Sequence, residues 1–303
     1  MIATEARHSD PELAEREEAT LQREIPRKLG MTRASELNTA YAFFERNWNL
    51  TRRYVGWEVV WIVYSLVSAL TILFIAAATE KITGQAVDTH FFVLYLLIGT
   101  TMWSYLSAVF DVVAETIAWE RWEGTIEYTL MAPVPRYLHL IGTCCYAVTY
   151  SVVRSALIFG AVILIFGIDL SRANFGTAAA VIVVGSVSVI GLAIVAAVLP
   201  LLFTERGAQM TFVIHSSLLL ISGVYAPIDV LPGWLQVLSP LSPITYILRS
   251  VRIGLLDGGG LELVLGDLIL LALMGALLVP GGLFIFRQAE RYAKRTGRLK
   301  RSG

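Results

Sequence analysis

The chain has 303 residues, of which 56% are hydrophobic and only 16% are charged, and its formal net charge at pH 7 is zero. Its mean hydropathy is +0.65. An apolar share this far above that of soluble domains excludes an ordinary water-soluble fold. We therefore predict an integral membrane protein.

The N-terminal part divides into a polar lead-in and an amphipathic helix. Residues 1–34 are charged and lack the apolar core of a signal peptide, so we expect a mobile cytoplasmic N-terminus. From Ser35, a plausible N-cap, one helical face carries Leu37, Tyr41, Phe44 and Trp48. We predict an interfacial amphipathic helix over 35–56 at the inner membrane surface, although a helix packed on a soluble partner would show the same stripe.

Six apolar stretches are each long enough to cross a hydrocarbon core of about 30 Å. They lie at about 57–79, 91–113, 138–166, 175–203, 207–227 and 261–286. Backbone amides in lipid must bond within their own segment, and these runs lack the alternation of barrel strands. We predict an all-α polytopic membrane protein with a six-helix transmembrane domain over 57–287.

The distribution of lysine and arginine predicts the orientation. Nineteen of the 24 basic residues lie in 1–56, 114–137, 204–206 and from Arg287 onward, whereas the alternate loops hold four. The positive-inside rule then places both termini in the cytoplasm, including a basic tail at 288–303. That orientation requires an even number of spans, which six satisfies.

A proline-rich segment follows the fifth predicted span. Residues 222–260 contain Pro227, Pro232, Pro240 and Pro243, which divide an apolar stretch into pieces too short to cross a membrane. We predict outer re-entrant half-helices over 227–258, covered by protein. An ordinary outer loop with aromatic anchors is the alternative.

The segment between the second and third predicted spans is amphipathic. In "WERWEGTIEYTLMAPVPR" (119–136), Trp119 and Trp122 lie beside an acidic stripe, Gly124 allows a bend, and two prolines end the helix. We predict a cytoplasmic coupling helix over 115–132 that receives a push from a soluble partner. A solvated turn whose acids cap helices is the simpler alternative.

Two motifs resemble the permease subunits of the ABC-2 type transporter family, which includes daunorubicin-resistance-type and nodulation-type exporters. They are "ERWEGTIEYTLMAPVPR" (120–136), similar to the family's coupling segment, and "SGVYAPIDVLPGWLQVLSPLSPITYILRSVR" (222–252), similar to its outer signature. The resemblance implies a homodimer, or a close heterodimer, above two ABC ATPase subunits in the cell (inner, cytoplasmic) membrane. It implies export of an amphipathic, drug-like or lipid-like substrate by alternating access.

The resemblance also assigns candidate residues. Coupling to the ATPase subunit falls on Glu120, Arg121, Glu123, Gly124, Thr125 and Glu127. Here Trp122 separates the arginine from the glutamate, a departure from the family's Arg-Glu pair. Because the family's second and fifth spans border the translocation path, we assign to the path Met102, Tyr105, Val109, Met210, His215 and Ser217. Plain helix packing would explain the stripe on the second span equally well.

One basic residue lies inside a predicted span. Arg154 is about sixteen residues into the third span, where a charge is costly and normally pairs within the bundle. We predict an intramembrane ion pair with Glu58 or Asp111, and Glu115 is a further candidate partner.

The sequence offers no catalytic or metal-binding motif. No phosphate-binding G-x-x-x-x-G-K-[ST] loop is present, so ATP and Mg are expected in the partner subunit, with no cofactor in this chain. Membrane lipids are expected partners, and no nucleic acid is. The alternatives are export of a glycolipid or polysaccharide precursor, a non-transporting membrane scaffold, and an intramembrane enzyme, for which no H-E-x-x-H or G-x-S-x-G motif is present.

Overall fold

The structure, a computed structural model, describes residues 33–83, 89–126, 129, 134–203 and 206–296. In chain order its described helices are α1 Arg33–Arg53, α2 Val55–Thr83, α3 Thr89–Trp122, α4 Arg136–Phe166, α5 Phe175–Ala196, α6 Val198–Leu202, α7 Gly207–Ile221, α8 Gly233–Gln236, α9 Pro243–Leu256 and α10 Leu261–Arg295. No strand occurs within these ranges, so the predicted all-α fold is confirmed. Most of the predicted N-terminal segment 1–34 and the tail from 297 onward lie outside the described residues.

Five of the six predicted spans are helices long and apolar enough to cross a membrane. They are Val55–Thr79, Phe91–Trp122, Tyr137–Phe166, Phe175–Leu202 and Leu261–Arg295. The second is longer than predicted, because no helix-breaking residue follows 113 until Gly124, whose φ of 75° ends the helix. The first part of the predicted coupling helix is therefore the last turns of α3.

Helix α3 lies at the centre of the bundle. It packs against α2, α4, α5, α6, α7 and α9. Its central side chains, among them Leu97, Tyr105 and Phe110, are almost fully buried. Helix α3 therefore contacts most of the other described helices.

Helices α5 and α10 form the most extensive helix pair and run parallel. The Ser188 hydroxyl donates to the carbonyl of Leu271 at 2.7 Å. Further along both helices, a Cβ added at Gly282 would lie 2.8 Å from the carbonyl oxygen of Gly191. Small residues let membrane helices approach this closely, and here they bring the second half of α5 against the middle of α10.

The parallel arrangement of α5 and α10 bears on the fifth predicted span. Because both helices start at the same face of the bundle, the chain between them has to return across it. Helix α7 has only 15 residues, too few to cross about 30 Å alone. The described residues between Leu201 and Val224 nevertheless run antiparallel to α3, since Leu201 contacts Arg121 and Val224 lies against Gly99. This geometry supports a sixth crossing, which stays a prediction.

The proline-rich segment folds as short pieces. Two 3-10 turns at Ile228–Val230 and Ser239–Leu241 flank α8, and α9 follows. Helix α9 runs antiparallel to the first half of α5: Gly254 faces Thr177, and Ile247 packs on Gly185. Helix α9 thus lies along α5 from Gly185 to Thr177, and the predicted re-entrant geometry stays a prediction.

Helix α1 packs beside the beginning of α4. The ring of Phe44 meets that of Tyr146 at 6.2 Å, and the backbone of Ala40 touches Gly142. Two other members of its apolar stripe, Leu37 and Tyr41, are exposed. Helix α1 therefore packs on α4 of the same chain. Its location at the membrane surface stays a prediction.

Candidate functional site

The last turns of α3 contain a buried carboxylate. The Glu120 side chain is only 2% exposed, and its Oε1 accepts a hydrogen bond from Nη1 of Arg46 on α1 at 2.7 Å. The same oxygen lies 3.4 Å from Nε2 of His139 on α4. A buried carboxylate is stable only when it is paired, so Glu120 ties α1 and α4 to the end of α3.

The next residue ties α3 to another part of the chain. Arg121 is buried, and its guanidinium donates a short hydrogen bond to the backbone carbonyl of Leu201 in α6. That carbonyl is one of the last in its helix, where acceptors lack an intrahelical partner and the helix dipole favours a cation. Glu120 and Arg121 together connect the end of α3 to three other helices.

An exposed turn follows directly. Glu123 and Gly124 form it, with the Glu123 side chain in solvent and Gly124 in the left-handed region. The Thr125 hydroxyl donates back to the carbonyl of Glu120 at 3.3 Å. Trp119 and Trp122, both exposed, contact each other edge to face with ring centroids 5.3 Å apart.

The predicted coupling residues therefore fall into two groups. Glu120 and Arg121 are internal anchors, whereas Glu123, Gly124 and Thr125 form or follow the exposed turn. Glu127 lies outside the described residues. Burial prevents Glu120 and Arg121 from touching a soluble partner in this conformation, so any contact role belongs to the turn. The assignment of all six residues to coupling stays a prediction.

The predicted path residues lie in two different environments. Met102, Tyr105 and Val109 are buried in the core, with the Tyr105 hydroxyl hydrogen-bonded to that of Ser186 on α5. On α7, Met210 and Ser217 are exposed. Packing in the core accounts for Met102, Tyr105 and Val109 in this single chain. A role in translocation stays a prediction for these residues and for those on α7.

His215 is held by aromatic rings. Its imidazole lies between Trp103, at a centroid distance of 4.8 Å, and Phe110, at 5.6 Å, both on α3. Its Nε2 is buried without a hydrogen-bond partner among the described residues. His215 thus packs α7 on α3 in a mostly apolar setting.

Among the described residues, Arg154 forms no ion pair with Glu58 or Asp111, its predicted partners. Arg154 donates from Nη2 to the Ser65 hydroxyl at 2.6 Å and approaches the carbonyl of Trp61 at 3.4 Å. Glu58 instead accepts a hydrogen bond from the Tyr150 hydroxyl. Asp111 and Arg154 line one cavity between α2, α3 and α4. No hydrogen bond joins the two side chains among the described residues.

A second charged cluster anchors the proline-rich segment. Arg249 on α9 makes a two-pronged ion pair with Asp267 on α10, which raises the pKa of Arg249 above its usual value. Arg252 donates to the carbonyls of Gly223 and Val224 at 2.9 and 2.7 Å and stacks over the ring of Tyr95. These contacts fix α9 between α3, α10 and the end of α7.

Sequence reasoning missed two features. The first is the pairing of Glu120 with Arg46 and His139, for which no local signal exists because the three residues are far apart in the chain. The second is a polar stripe on α3 that faces a cavity: Thr100, Thr101, Ser104, Ser107 and Asp111. Helical spacing could have revealed the stripe, since its members share one face.

Metal binding has no support in the described part of the chain, where no cluster of three or more His, Cys, Asp or Glu residues could hold an ion. Cys144 is buried and Cys145 exposed, and both are free thiols.

Within the described residues, five apolar helices of spanning length define a multi-pass membrane protein. The model of the ABC-2 type transporter family matches residues 39–256, well over half of the chain. The chain belongs to this family and is a transmembrane permease component of an ABC transporter. Family membership implies pairing with an ABC ATPase subunit. No curated protein matches the chain.

Proposed function

We propose that this chain is the permease subunit of an ABC exporter in the cell membrane, with both termini in the cytoplasm. It moves an amphipathic, drug-like or lipid-like substrate outward by alternating access. A separate ATPase subunit binds ATP and Mg and supplies the energy. Two copies of the permease form the complete pathway.

The observation that carries this proposal is the architecture at the end of α3. The exposed turn at Glu123 and Gly124 is continuous with a helix whose last buried residues hold α1, α4 and α6. A soluble partner that presses on this turn therefore moves several helices without touching them. Exposed polar and aromatic groups at the turn suit a docking surface that is not strongly apolar.

The proposed cycle follows from this geometry. Closure of two ATPase subunits on ATP displaces the turn, and the displacement passes along the 34-residue α3 to the outer segment packed on it. Arg252 links that segment to α3 through Tyr95, so the proline-rich pieces follow the movement. Alternating access of this kind requires that the packed helices have two alternative arrangements.

The test uses the tagged chain purified from its native membranes. We expect an ABC ATPase to co-purify in equal stoichiometry and to hydrolyse ATP in step with substrate export in proteoliposomes. Glu123→Lys should abolish binding of the ATPase or uncouple hydrolysis from export, because it reverses the charge of the exposed turn. Gly124→Trp should act similarly, because φ there is 75°.

The matched control is Glu262→Lys, the same charge reversal at an exposed residue in the first turn of α10. This variant should behave like the wild-type chain, since the proposed orientation puts it on the opposite side of the membrane. Unchanged coupling in both turn variants would remove the proposed role of the turn.

A further inference from the structure

The C-terminal part of α10 carries a row of exposed arginines. Arg287, Arg291 and Arg295 are spaced four residues apart, so they lie about one helical turn from each other on a single face. Neither Arg287 nor Arg291 forms a hydrogen bond or an ion pair within the described part of the chain. Helix α10 therefore presents two guanidinium groups whose charge no described residue neutralises.

The same face of α10 is apolar before the arginines begin. On a helix of 3.6 residues per turn, Leu273, Leu277, Phe284, Arg287 and Arg291 fall within about 80° of each other. The three apolar side chains are 58%, 75% and 63% exposed. One continuous exposed stripe thus changes from apolar to basic between Phe284 and Arg287, over a rise of about 4.5 Å.

This change occurs at the depth where a neighbouring span ends. Gly282 of α10 packs against Ile194 of α5, and α10 continues against α6. Because these helices run in the same direction, Arg287 is about level with Leu199. The apolar span that contains α5 and α6 ends at Leu202. Arg287 therefore lies near a boundary between membrane and water, which the proposed orientation makes the cytoplasmic one.

An anionic phospholipid has the same order of chemical groups as this stripe. Its acyl chains are apolar, and its phosphate lies at the boundary between hydrocarbon and water. An arginine guanidinium donates paired, charge-assisted hydrogen bonds to phosphate oxygens. The positive choline of a zwitterionic headgroup opposes this attraction, so a headgroup with net negative charge is preferred. Basic clusters directly beside the cytoplasmic end of a spanning helix attract anionic lipids for this reason.

Two other occupants fit the stripe less well. A second copy related by a two-fold axis along the membrane normal would bring equal depths of α10 together and place arginine beside arginine. A soluble acidic partner would reach the arginines but not Leu273 and Leu277, which lie within the apolar span. Within the chain itself, the nearby carboxylate of Glu290 is buried and pairs with Lys294 at 3.2 Å.

We propose that Arg287 and Arg291 bind the phosphate of an anionic phospholipid whose acyl chains lie along Leu273, Leu277 and Phe284. This lipid is a resident of the membrane that fixes the depth of α10, and it is not the transported molecule. Its binding requires a membrane but neither an ATPase nor transport. The inference therefore goes beyond the proposed function and fails independently of it.

The experiment uses the full chain in nanodiscs of phosphatidylcholine. Each sample contains a small amount of one photoreactive lipid, either phosphatidylglycerol or phosphatidylcholine, with identical acyl chains and the same diazirine. Mass spectrometry identifies the labelled peptides. We expect phosphatidylglycerol to label the α10 segment 273–291 at least fivefold more than phosphatidylcholine does. Equal labelling of this segment by the two lipids, or a preference for another part of the chain, would overturn the proposal.

The double variant Arg287→Gln with Arg291→Gln tests the two arginines. It should remove the preference for phosphatidylglycerol and leave labelling by phosphatidylcholine unchanged, because each arginine beside an anionic lipid contributes about fivefold to its attraction. The variant should keep its thermal stability in phosphatidylcholine, since the replaced side chains are exposed and bond to no described residue. A preference that persists in this variant would contradict the assignment.

The matched control is Arg52→Gln with Arg53→Gln, which removes two exposed arginines from the last turn of α1. This variant has the same net charge as the α10 variant and should label like the wild-type chain. An equal loss of the preference in the control would mean that overall charge, and not a site on α10, attracts the lipid.

Two further measurements separate the lipid from other occupants. Inorganic phosphate, added at constant ionic strength, should not reduce the labelling of α10. Competition by phosphate would assign the arginines to a soluble anion. Cross-linking of α10 to α10 between two chains, in place of lipid labelling, would show that a second copy covers the stripe. Either result would overturn the lipid proposal and leave the proposed permease function standing.

Discussion

At the scale of single residues, the buried carboxylate of Glu120 determines how the inner end of the bundle is held. It pairs with a half-exposed arginine on α1 and lies against a buried histidine on α4. The His139 ring also packs against the ring of Phe43 in an edge-to-face contact with a centroid distance of 4.8 Å. This pairing makes α1 part of the bundle and not an independent appendage.

We predict that Glu120 and Arg46 are energetically coupled. In a double-mutant cycle with Glu120→Gln and Arg46→Gln, the free energies of unfolding should deviate from additivity by about 1–3 kcal/mol, because the two side chains share one hydrogen bond in a largely buried site. Denaturation of the detergent-solubilised chain with SDS provides the measurement.

The control for this cycle is Arg53→Gln. Arg53 is an exposed arginine in the last turn of the same helix α1. Its effect should add to that of Glu120→Gln within about 0.5 kcal/mol. If the effects of Arg46→Gln and Glu120→Gln on the free energy of unfolding also add, the pair does not hold α1 in place.

At the scale of elements, the contact between α5 and α10 depends on glycine. An added Cβ at Gly191 would lie 2.6 Å from the backbone carbonyl carbon of Leu278, and one at Gly282 would lie 2.8 Å from the carbonyl oxygen of Gly191. Backbone atoms cannot rotate away as a flexible side chain can. The two helices must therefore separate if either glycine gains a side chain.

We predict opposite effects for two neighbouring glycines of α10. Gly282→Ala should lower the free energy of unfolding by about 1–3 kcal/mol, because it overpacks the α5 contact. Gly281→Ala should leave it unchanged or raise it by up to about 1 kcal/mol, since its Cβ would meet nothing within 4 Å and alanine favours the helix. Thermal unfolding of the two purified variants distinguishes them, and equal destabilisation would contradict the glycine contact.

At the scale of the whole molecule, the chain direction of the helices constrains the topology. Helices α2 and α4 run parallel, as the successive contacts of Tyr150 with Glu58 and Phe166 with Phe74 indicate. Helices α5 and α10 also run parallel. Both pairs are expected if one crossing separates the two helices of each pair, which gives three crossings for each pair with its intervening segment and six in all.

We predict that Glu123 and Val230 lie on opposite sides of the membrane. In a background where Cys144 and Cys145 are replaced by alanine, Val230→Cys should react in intact cells with a membrane-impermeant thiol reagent. Glu123→Cys should react only after permeabilisation. Both positions are exposed, so the reaction reports sidedness. Labelling of both in intact cells would exclude the six-span topology.

The sequence by itself determined the class of the molecule, because its signals are local. Length and hydropathy identify the spanning helices, since a membrane admits few backbone arrangements. Gly124 and the prolines of the outer segment mark where helices end, because backbone conformation restricts these residues directly. The motif at 120–136 indicated the family that the match over residues 39–256 then established.

Only the tertiary structure decided what the charged residues touch. Pattern reasoning grouped Glu120 and Arg121 with the exposed acids of the turn, but long-range contacts with Arg46, His139 and Leu201 bury them. It likewise could not choose a partner for Arg154, which bonds to Ser65. Such pairings depend on how helices distant in the chain are rotated and aligned, and in apolar helices with little amphipathic bias no local signal encodes that rotation.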